Sequence, residues 1–589
     1  MSFAQRRKFH RLQILVIIMA LFEVIGVFGV GVFIALLSNL SILDEPGMIQ
    51  NFYINFQFSN SSEFIVAAGF IVLSFISLSS LLSMFTLWRL TIFGALVGAD
   101  LSDRLYVYYI NQNWLFHLDR NSSDLTNKIA LETARITNSI IGQFMHLNGK
   151  LVLAIIMIIT IFIYSPPIAI GSFVFFGGSY ALIYKLARSR LDRNSIKVTQ
   201  ATQERFKLMN EGFGGIKDTL LLGRQHSFEE QFAVSNHSYY YHAANNTVIG
   251  VLPRYLMELF AFISIILFIL IIFFQYNGDI SPALPVIAVF ALAGLKILPA
   301  FQQVYSGFAT MRGNLYAFEN LSEDLHDASD ALQKRRDIQD DIATITFQDL
   351  ITVKNISFQY PNSVISALQD VCIDIPYKGV IGLVGSSGSG KSTLADMIMG
   401  LLKPTHGSIT IDKEILTNSN LRAWQDKIGF VSQRIFLSDT SVRQNVAFGI
   451  QEDEIDDDSV NKALELANLK SFVDTLPDGT ETYVGERGIQ LSGGQMQRIG
   501  IARALYHDAE VLVFDEATSS LDGLTEKLIM EAINKFFREK TIILIAHRLA
   551  TVKKCDVLYL LDKGRLIDHG SYKDLRDSNI IFKNMTENS

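Results

Sequence analysis

Long apolar runs constrain the fold of this chain more than any other feature of its sequence. Six runs are long enough to cross a hydrocarbon core of about 30 Å as helices, at residues 12–37, 64–87, 142–164, 168–184, 249–274 and 280–307. Lys150 interrupts the third run and Lys296 the sixth, so the number of runs is better defined than their edges. With 589 residues, 49% of them hydrophobic, the chain is too long and too apolar for one soluble domain. We therefore predict an all-α membrane domain with six spans.

Basic residues and connection lengths predict how these spans are oriented. A cluster of Arg and Lys precedes the first run, which is too long to be the apolar part of a cleaved signal peptide. Because Lys and Arg concentrate in cytoplasmic segments, we predict that the N-terminus is inside. The connections 88–141 and 185–248 then lie inside as well, and their charged helical patterns predict long cytoplasmic extensions. Residues 113–119 and 211–222 within them are either short docking helices or ordinary solvated turns.

The pattern changes after the sixth run. Residues 319–349 mix acidic and basic side chains without a sustained apolar period, which predicts a linker between a membrane domain (1–318) and a second domain (350–589). In the second domain short apolar strands alternate with helical segments, as is typical of an α/β domain with a mainly parallel sheet. The net charge of -7 argues against a nucleic-acid partner. Cys372 and Cys555 are too few for a disulfide framework.

A glycine-rich loop carries the first chemical motif. Residues 385–392 follow an apolar strand, open a helix and match G-x-x-x-x-G-K-[ST] at every fixed position. In such a loop backbone amides wrap the phosphates, the lysine reaches the β and γ phosphates, and the final hydroxyl ligates Mg²⁺. The motif predicts a site for ATP and Mg²⁺ formed by Gly385, Ser386, Gly388, Ser389, Gly390, Lys391, Ser392 and Thr393.

Two adjacent acids follow a second buried strand. Asp515 and Glu516 come directly after the apolar residues 511–514, at the carboxyl end of a strand, where open α/β sheets bind their ligands. We predict that Asp515 holds Mg²⁺ through water. Glu516 is predicted to orient and deprotonate the attacking water, which is the task that remains in phosphoryl transfer once charge is neutralised.

A third motif implies a second nucleotide. Ser492, Gly493, Gly494 and Gln495 follow Leu491 and begin another helix, so a hydroxyl and glycine amides form an anion site at its start. The phosphate loop of the same chain does not need this second anion site. We therefore expect it to serve a nucleotide held by another chain.

Taken together, these motifs resemble those of the ATP-binding-cassette family, whose signature is LSGGQ, and the resemblance covers essentially the whole chain. It implies that two cassettes stack head to tail, with each ATP between one phosphate loop and the other chain's Ser492 and Gly494. It also implies that Tyr360 is the aromatic that stacks on adenine and that Gln433 is the glutamine that senses Mg²⁺. Asp522 matches the dimer-interface residue, His547 the γ-phosphate switch, and Glu486 the exporter-specific coupling residue.

Further implications follow from the same resemblance. All key residues are of catalytically competent types, which implies ATP hydrolysis and a homodimer with two working sites, although a separately encoded partner stays open. Six spans before one cassette resemble the exporter type of the family. That type implies alternating access in the cytoplasmic membrane, with the N-terminus and the ATPase domain in the cytoplasm.

Ionisable residues inside the spans are the candidates for substrate contacts, because burying them in lipid is costly. These are Glu23, Arg254, Glu258 and Lys296. Arg254 and Lys296 are predicted at inner-leaflet depth, where two cations could receive a phosphorylated headgroup. Pro253-Arg254 followed by Glu258, together with the acid of the first span, resembles the bacterial flippases of lipid-linked oligosaccharides. This implies a lipid substrate such as a polyprenyl-pyrophosphate-linked glycan. A simple i, i+4 pairing of Arg254 with Glu258, a packing role for Glu23, and a multidrug or lipid-A-type exporter are the alternatives.

Overall fold

The computed structural model describes residues 3–38, 48–55, 60–164, 166, 170, 174, 177–275, 284–337, 344–361, 363–485, 488–516, 523–546, 548–549 and 551–587. These residues form two compact units. The first comprises Met1–Gln112 and His117–Lys334, and the second comprises Asn113–Phe116 and Arg335–Ser589.

The described residues of the N-terminal half of the chain form helices joined by short turns. Its helices are α1 (Phe3–Ser38), α2 (Met48–Asn55), α3 (Ser61–Ile110), α4 (Trp114–Asp119), α5 (Ser122–Asn127), α6 (Thr133–Ile136), α7 (Gln143–Tyr164), α8 (Gly178–Gly214), α9 (Ile216–Leu221), α10 (Gln225–Val251), α11 (Pro253–Gln275), α12 (Leu284–Arg312) and α13 (Leu315–Asp337). Two π-helical turns, Lys128–Glu132 and Thr137–Gly142, lie between α5, α6 and α7.

Four helical stretches in the described part of the chain are long and apolar enough to cross a membrane. They are Phe3–Ile34, Ser61–Ile110, Ser122–Ile163 and Gln225–Ile263. These stretches overlap the first, second, third and fifth predicted spans. Residues 168, 169, 171–173, 175 and 176 of the fourth predicted span lie outside the described residues, whereas residues 178–184 lie in α8. The start of the sixth predicted span also lies outside the described residues, and its remainder lies in α12.

Apolar side chains occur on all sides of these helices. Ala20 and Val24 of α1 pack with Leu153 and Met157 of α7 in a buried cluster. Elsewhere large apolar side chains remain exposed, such as Phe70 of α3 at 65%. A helix that is apolar all round suits a lipid surrounding, in which its backbone bonds are satisfied internally.

The predicted linker is corrected over its first part. Residues 315–337 form α13, and the first compact unit continues to Lys334. Ala317, Leu321, Asp324 and Ala328 are all at most 4% exposed, so one face of this charged helix packs against the unit. Their spacing of three or four residues places them on one side of a helix.

The second unit contains two sheets. Its strands are β1 (Leu350–Phe358), β2 (Leu368–Pro376), β3 (Val380–Gly385), β4 (His406–Ile411), β5 (Glu414–Ile415), β6 (Ile428–Val431), β7 (Val511–Asp515), β8 (Thr541–Ile545), β9 (Val557–Asp562) and β10 (Arg565–Gly570). The smaller sheet has the order β2-β1-β4-β5 and is antiparallel. The larger sheet has the order β10-β9-β3-β8-β7-β6 and is parallel except for β10.

Helices surround these sheets. They are α14 (Lys391–Ile398), α15 (Leu421–Gln425), α16 (Val442–Val446), α17 (Asp457–Leu466), α18 (Lys470–Val473), α19 (Gly493–Tyr506), α20 (Gly523–Asn534), α21 (Tyr572–Ser578) and α22 (Ile580–Glu587). Along β7, Val511 and Val513 point into one buried cluster, while Leu512 and Phe514 point into the other. A sheet buried on both faces explains the unbroken apolar strands, and the predicted α/β fold with a mainly parallel sheet is confirmed.

Candidate functional site

The phosphate loop runs from the end of β3 to the start of α14. Gly390 precedes the helix with φ of 103°, a region that L side chains rarely adopt. A Cβ atom there would lie 2.8 Å from the Ala367 oxygen and from Leu368 Cδ2. Glycine is therefore required both by the backbone conformation and by the space, and it brings the helix N-terminus to the loop.

Lys391 lies inside this loop and is 4% exposed. Its ammonium donates hydrogen bonds to the carbonyl oxygens of Gly385 (3.0 Å) and Ser386 (2.9 Å). Burial lowers the pKa of Lys391, against the opposing effect of the negative charges of Glu516 and Asp515. The loop thus holds a buried cation whose present partners are neutral carbonyls, and an anionic phosphate is a stronger partner for it.

The two predicted acids lie at the carboxyl end of β7, in the same sheet as β3. Glu516 has a left-handed backbone (φ 49°), and its amide donates to the Ile545 oxygen at 3.0 Å. The Gln433 amide donates to the Glu516 carboxylate at 2.6 Å. Strain of this kind persists where the surroundings over-determine it, often at active sites. The structure therefore brings the Gln433 amide to the Glu516 carboxylate, and the negative charge of Glu516 acts on the Lys391 ammonium.

Tyr360 follows β1 and stands beside the phosphate-loop helix. Its ring packs edge to face on Phe358, with centroids 4.9 Å apart. Its hydroxyl lies 3.2 Å from the hydroxyl of Thr393 in α14. The aromatic predicted to stack on adenine is thus joined directly to the phosphate-loop helix.

The third motif begins α19. Ser492 is the N-cap: its hydroxyl accepts from the Gln495 amide (3.3 Å), and its own amide donates to the Gln495 side chain (2.7 Å). This reciprocal capping box fixes the first turn. Ser492 and Gly493 are exposed, whereas Gly494 is buried. The helix start therefore faces outward from its own chain, as a site for an anion on another chain requires.

The chemistry of three predicted site residues fits a Mg²⁺ ion. Ser392, Gln433 and Asp515 supply hydroxyl, amide and carboxylate oxygens, the donors that Mg²⁺ prefers. Ser389 is 1% exposed, and its hydroxyl has no hydrogen-bond partner within the described residues. A buried polar group of this kind calls for a ligand or water at the site.

Comparison with known families assigns both halves of the chain. Residues 14–244 match the ABC transporter transmembrane region, and residues 368–519 match the ABC transporter family. The chain is 31% identical, over 68% of its length and 67% of the relative's, to an ATP-dependent lipid A-core flippase of Alkalilimnicola ehrlichii. The chain belongs to the ABC transporter family. It is a half-transporter of the exporter type, with a membrane domain and an ATP-hydrolysing domain.

Two further matches extend over most of this ABC exporter. It is 29% identical to the heterocyst differentiation ATP-binding protein HepA of Nostoc sp., over 84% of this chain and 81% of that protein. The structure of a bacterial Atm1-family ABC exporter with ATP bound shares the fold, with a TM-score of 0.79, 20% identity and 99% coverage of both chains.

Some predicted site residues of the exporter lie outside the described part of the structure. Asp522, His547 and Glu486 are among them, as is the side chain of Lys296. Their roles stay predictions that rest on the family resemblance.

The charged residues of the membrane domain have local partners. Arg254 and Glu258 of α11 form an ion pair at 2.5 Å, with side chains 50% and 35% exposed. Glu23 of α1 accepts a hydrogen bond from Ser83 of α3 at 3.0 Å. The i, i+4 pairing considered from the sequence is present, so Arg254 does not stand as an isolated cation.

One contact near the phosphate loop involves residues 113–119, for which the sequence left a docking helix and a solvated turn open without indicating a partner residue. Trp114, in the short segment 113–116 that belongs to the second unit, hydrogen-bonds to Asp396 of α14. Leu115 of the same segment packs against the buried cluster that includes Leu394. The sequence signal was the aromatic and apolar content of residues 113–119, one of the two proposed docking helices.

Proposed function

We propose that two copies of this exporter use ATP to flip a lipid with a phosphorylated, sugar-bearing headgroup across the cytoplasmic membrane. Within this class we propose a polyprenyl-pyrophosphate-linked oligosaccharide as the substrate. The observation that carries the lipid class is the 31% identity, over two thirds of both chains, to a protein named as a lipid A-core flippase.

The outward-facing helix start at Ser492 supports a homodimer. Each chain has one phosphate loop and one exposed signature helix, so two chains facing head to tail complete two sites. Exposed apolar side chains around α9 are a further surface for a second copy, and include Phe213 (74%), Leu221 (79%) and Leu222 (68%). Apolar patches of this kind on the non-membrane part of a chain mark interaction sites.

Residues of each phosphate-loop site then act in sequence. On nucleotide binding the γ-phosphate becomes the partner of Lys391, which gives up its carbonyl contacts with Gly385 and Ser386. Gln433 would leave Glu516 and join the residues that hold Mg²⁺, so that the Glu516 carboxylate is released to accept a proton from the attacking water. Ser392, Gln433 and Asp515 would hold Mg²⁺, which would neutralise charge that develops on the phosphates. Closure of the two cassettes and their reopening after hydrolysis drive alternating access.

The ion pair in α11 supports a binding site for a phosphorylated headgroup. Arg254 donates through Nε to Glu258, and among the described residues this pairing leaves the other guanidinium nitrogens for a second acceptor. A phosphate is a strong bidentate acceptor for a guanidinium group. We propose that a pyrophosphate binds Arg254 beside Glu258 rather than replacing this pairing.

A lipid-A-type glycolipid is the second candidate substrate. It is favoured by the names of several relatives, among them the flippase of Cupriavidus pinatubonensis, which is 39% identical over 39% of this chain. Both candidates combine acyl or polyprenyl chains with phosphate and sugar. Because their headgroups are chemically similar, a transport assay is needed to distinguish them.

Reconstituted transport tests this proposal. Liposomes would carry a fluorescent polyprenyl-pyrophosphate glycan, a fluorescent lipid A or a plain phosphatidylethanolamine, and flipping would be measured as protection from an external quencher. We expect ATP-dependent flipping of the pyrophosphate glycan that Glu516→Gln abolishes and Arg254→Ala reduces at least ten-fold, with Arg89→Ala as control. Flipping of lipid A alone would favour the second candidate, and an Arg254→Ala variant with wild-type flipping would refute the headgroup site.

A further inference from the structure

A buried carboxylate lies on α13, the helix that leads from the last span to the ATPase unit. Asp324 is 4% exposed and replaces an apolar residue in the buried face formed by Ala317, Leu321 and Ala328. It accepts hydrogen bonds from Tyr109 (2.7 Å), Lys128 (2.8 Å) and Arg120 (3.3 Å). These donors come from α3, from the π-helical turn after α5 and from the loop between α4 and α5.

The charges around Asp324 fix its ionisation state. Burial acts to raise the pKa of Asp324, but hydrogen bonds from Lys128 and Tyr109 and the nearby positive charges hold it below its ordinary value. Lys128 is itself 7% exposed and also lies 3.7 Å from Asp124. Asp324 and Lys128 therefore form a buried ion pair with further donors around it. In such a pair, removal of one partner lowers folding stability more than replacement of both by apolar side chains.

The donors to Asp324 bracket the segment that belongs to the ATPase unit. Residues 113–116 are grouped with that unit, while Tyr109 and Arg120 lie a few residues to either side. Within the segment Trp114 hydrogen-bonds to Asp396, five residues after Lys391 in the phosphate-loop helix. The chain thus reaches the ATPase unit at two places, through residues 113–116 and through the end of α13, and Asp324 joins the approaches to both.

We infer that Asp324 is a positioning residue that makes these two approaches move as one body, so that rearrangement at the phosphate-loop helix is passed together to α3, α7 and α12. This inference rests on the proposed ATP-driven transport, but not on any particular substrate. A single connection would let one helix move while its neighbours stayed; the cluster around Asp324 prevents this.

The test measures motion and hydrolysis separately in the full-length protein in lipid nanodiscs. Spin labels would be placed at Ser62→Cys, which is exposed near the start of α3, with Cys372→Ser because Cys372 is also exposed. Burial raises the pKa of Cys555 to about 12, so this thiol resists labelling. The label-to-label distance in the dimer would be compared without nucleotide and with ATP and vanadate.

Two kinds of variant separate coupling from stability. Tyr109→Phe removes one buried hydroxyl from the cluster, and its matched control is Tyr305→Phe, since Tyr305 is equally buried (4% against 3%) and donates to the Ile249 oxygen at 3.0 Å. Asp324→Leu combined with Lys128→Met replaces the ion pair by apolar side chains and so leaves no unpaired buried charge.

We expect both cluster variants to hydrolyse ATP within two-fold of wild type while the ATP-dependent distance change falls at least two-fold, and Tyr305→Phe to keep the full change. If Tyr109→Phe and the double variant retain the full distance change, Asp324 has only a structural role and the inference is wrong. If the wild-type dimer hydrolyses ATP without any distance change, the proposed transport cycle itself fails, and this inference fails with it.

Discussion

Asp396 is a carboxylate whose surroundings oppose its charge. It lies partly buried on α14, and burial, followed by the negative charge of Asp515, raises its pKa to about 6, while the hydrogen bond from Trp114 acts in the opposite direction. The folded state therefore takes up a proton at a higher pH than the unfolded chain does. It follows that stability falls as pH rises from roughly 4 through 6, and that the loss is complete above pH 6.

Asp396→Asn is expected to reverse this loss. The amide is neutral at every pH and keeps the volume of the carboxyl group, so the variant should unfold at a higher temperature than wild type at pH 8. At pH 5 the difference should shrink, because Asp396 is then largely protonated. Thermal unfolding of the nucleotide-free full-length protein at the two pH values checks this, and a difference that does not change with pH would contradict the assignment.

At the level of single residues, some features of the site could be predicted from sequence motifs, whereas others depend on the folded geometry. The spacing of residues 385–392 predicted the phosphate loop, because the loop conformation is set by local glycines such as Gly390. The bond between Gln433 and Glu516 could not be predicted, since it depends on two strands that pair only in the folded sheet. The same holds for Trp114 and Asp396, which are distant in sequence.

Among the elements, α19 carries a cap with two separable effects. The Ser492 capping box stabilises the helix start, and the same hydroxyl is predicted to bind a phosphate of the other chain's nucleotide. Ser571 forms an equivalent capping box with Asp574 at α21, away from the predicted nucleotide contacts. The chain thus offers a matched pair of caps that differ in the predicted role.

We expect Ser492→Ala and Ser571→Ala to destabilise the protein similarly, by about 1 kcal/mol each, as is usual for loss of an N-cap. Only Ser492→Ala should also lower ATP turnover, by at least ten-fold. Chemical unfolding and phosphate release measured on the two variants would show this. Equal turnover in both would mean that Ser492 acts only as a cap.

Elements differed in how well their sequence predicted them. Long apolar helices were predictable because lipid imposes both their length and their composition, as in α1 and α3. The α/β domain was predictable because strands buried on both faces are continuously apolar, as in β7 and β8. Because charges dominate residues 319–337, the sequence predicts a linker there, and the narrow buried face of α13, formed by Ala317, Leu321 and Ala328, is interrupted by Asp324.

For the whole molecule, head-to-tail pairing makes a prediction about mixed dimers. In the proposed head-to-tail dimer, Lys391→Ala should disable the phosphate loop of its own chain, whereas Ser492→Ala should disable the site that contains the partner's phosphate loop. In a dimer of one chain of each kind, both defects fall in the same site and the other site is intact. After hydrolysis in the intact site, differently tagged chains purified together should trap about one ADP per dimer with vanadate, by this counting of composite sites.

Each variant alone provides the control for this experiment. Homodimers of either variant have two defective sites and should trap no nucleotide above background. Trapping by the mixed dimer at the level of the homodimers would show that the sites are not shared between chains.

The helix α13 also decides where the ATPase half can be separated from the membrane half. A fragment that starts at residue 319 would carry Leu321 and Ala328 into water and would leave Asp324 without Tyr109 and Lys128. A fragment that starts at residue 344 would leave that face behind and keep β1 complete. Exchange of ATPase halves between relatives of this exporter therefore requires a junction after α13, or transfer of α13 together with the helices that hold its carboxylate.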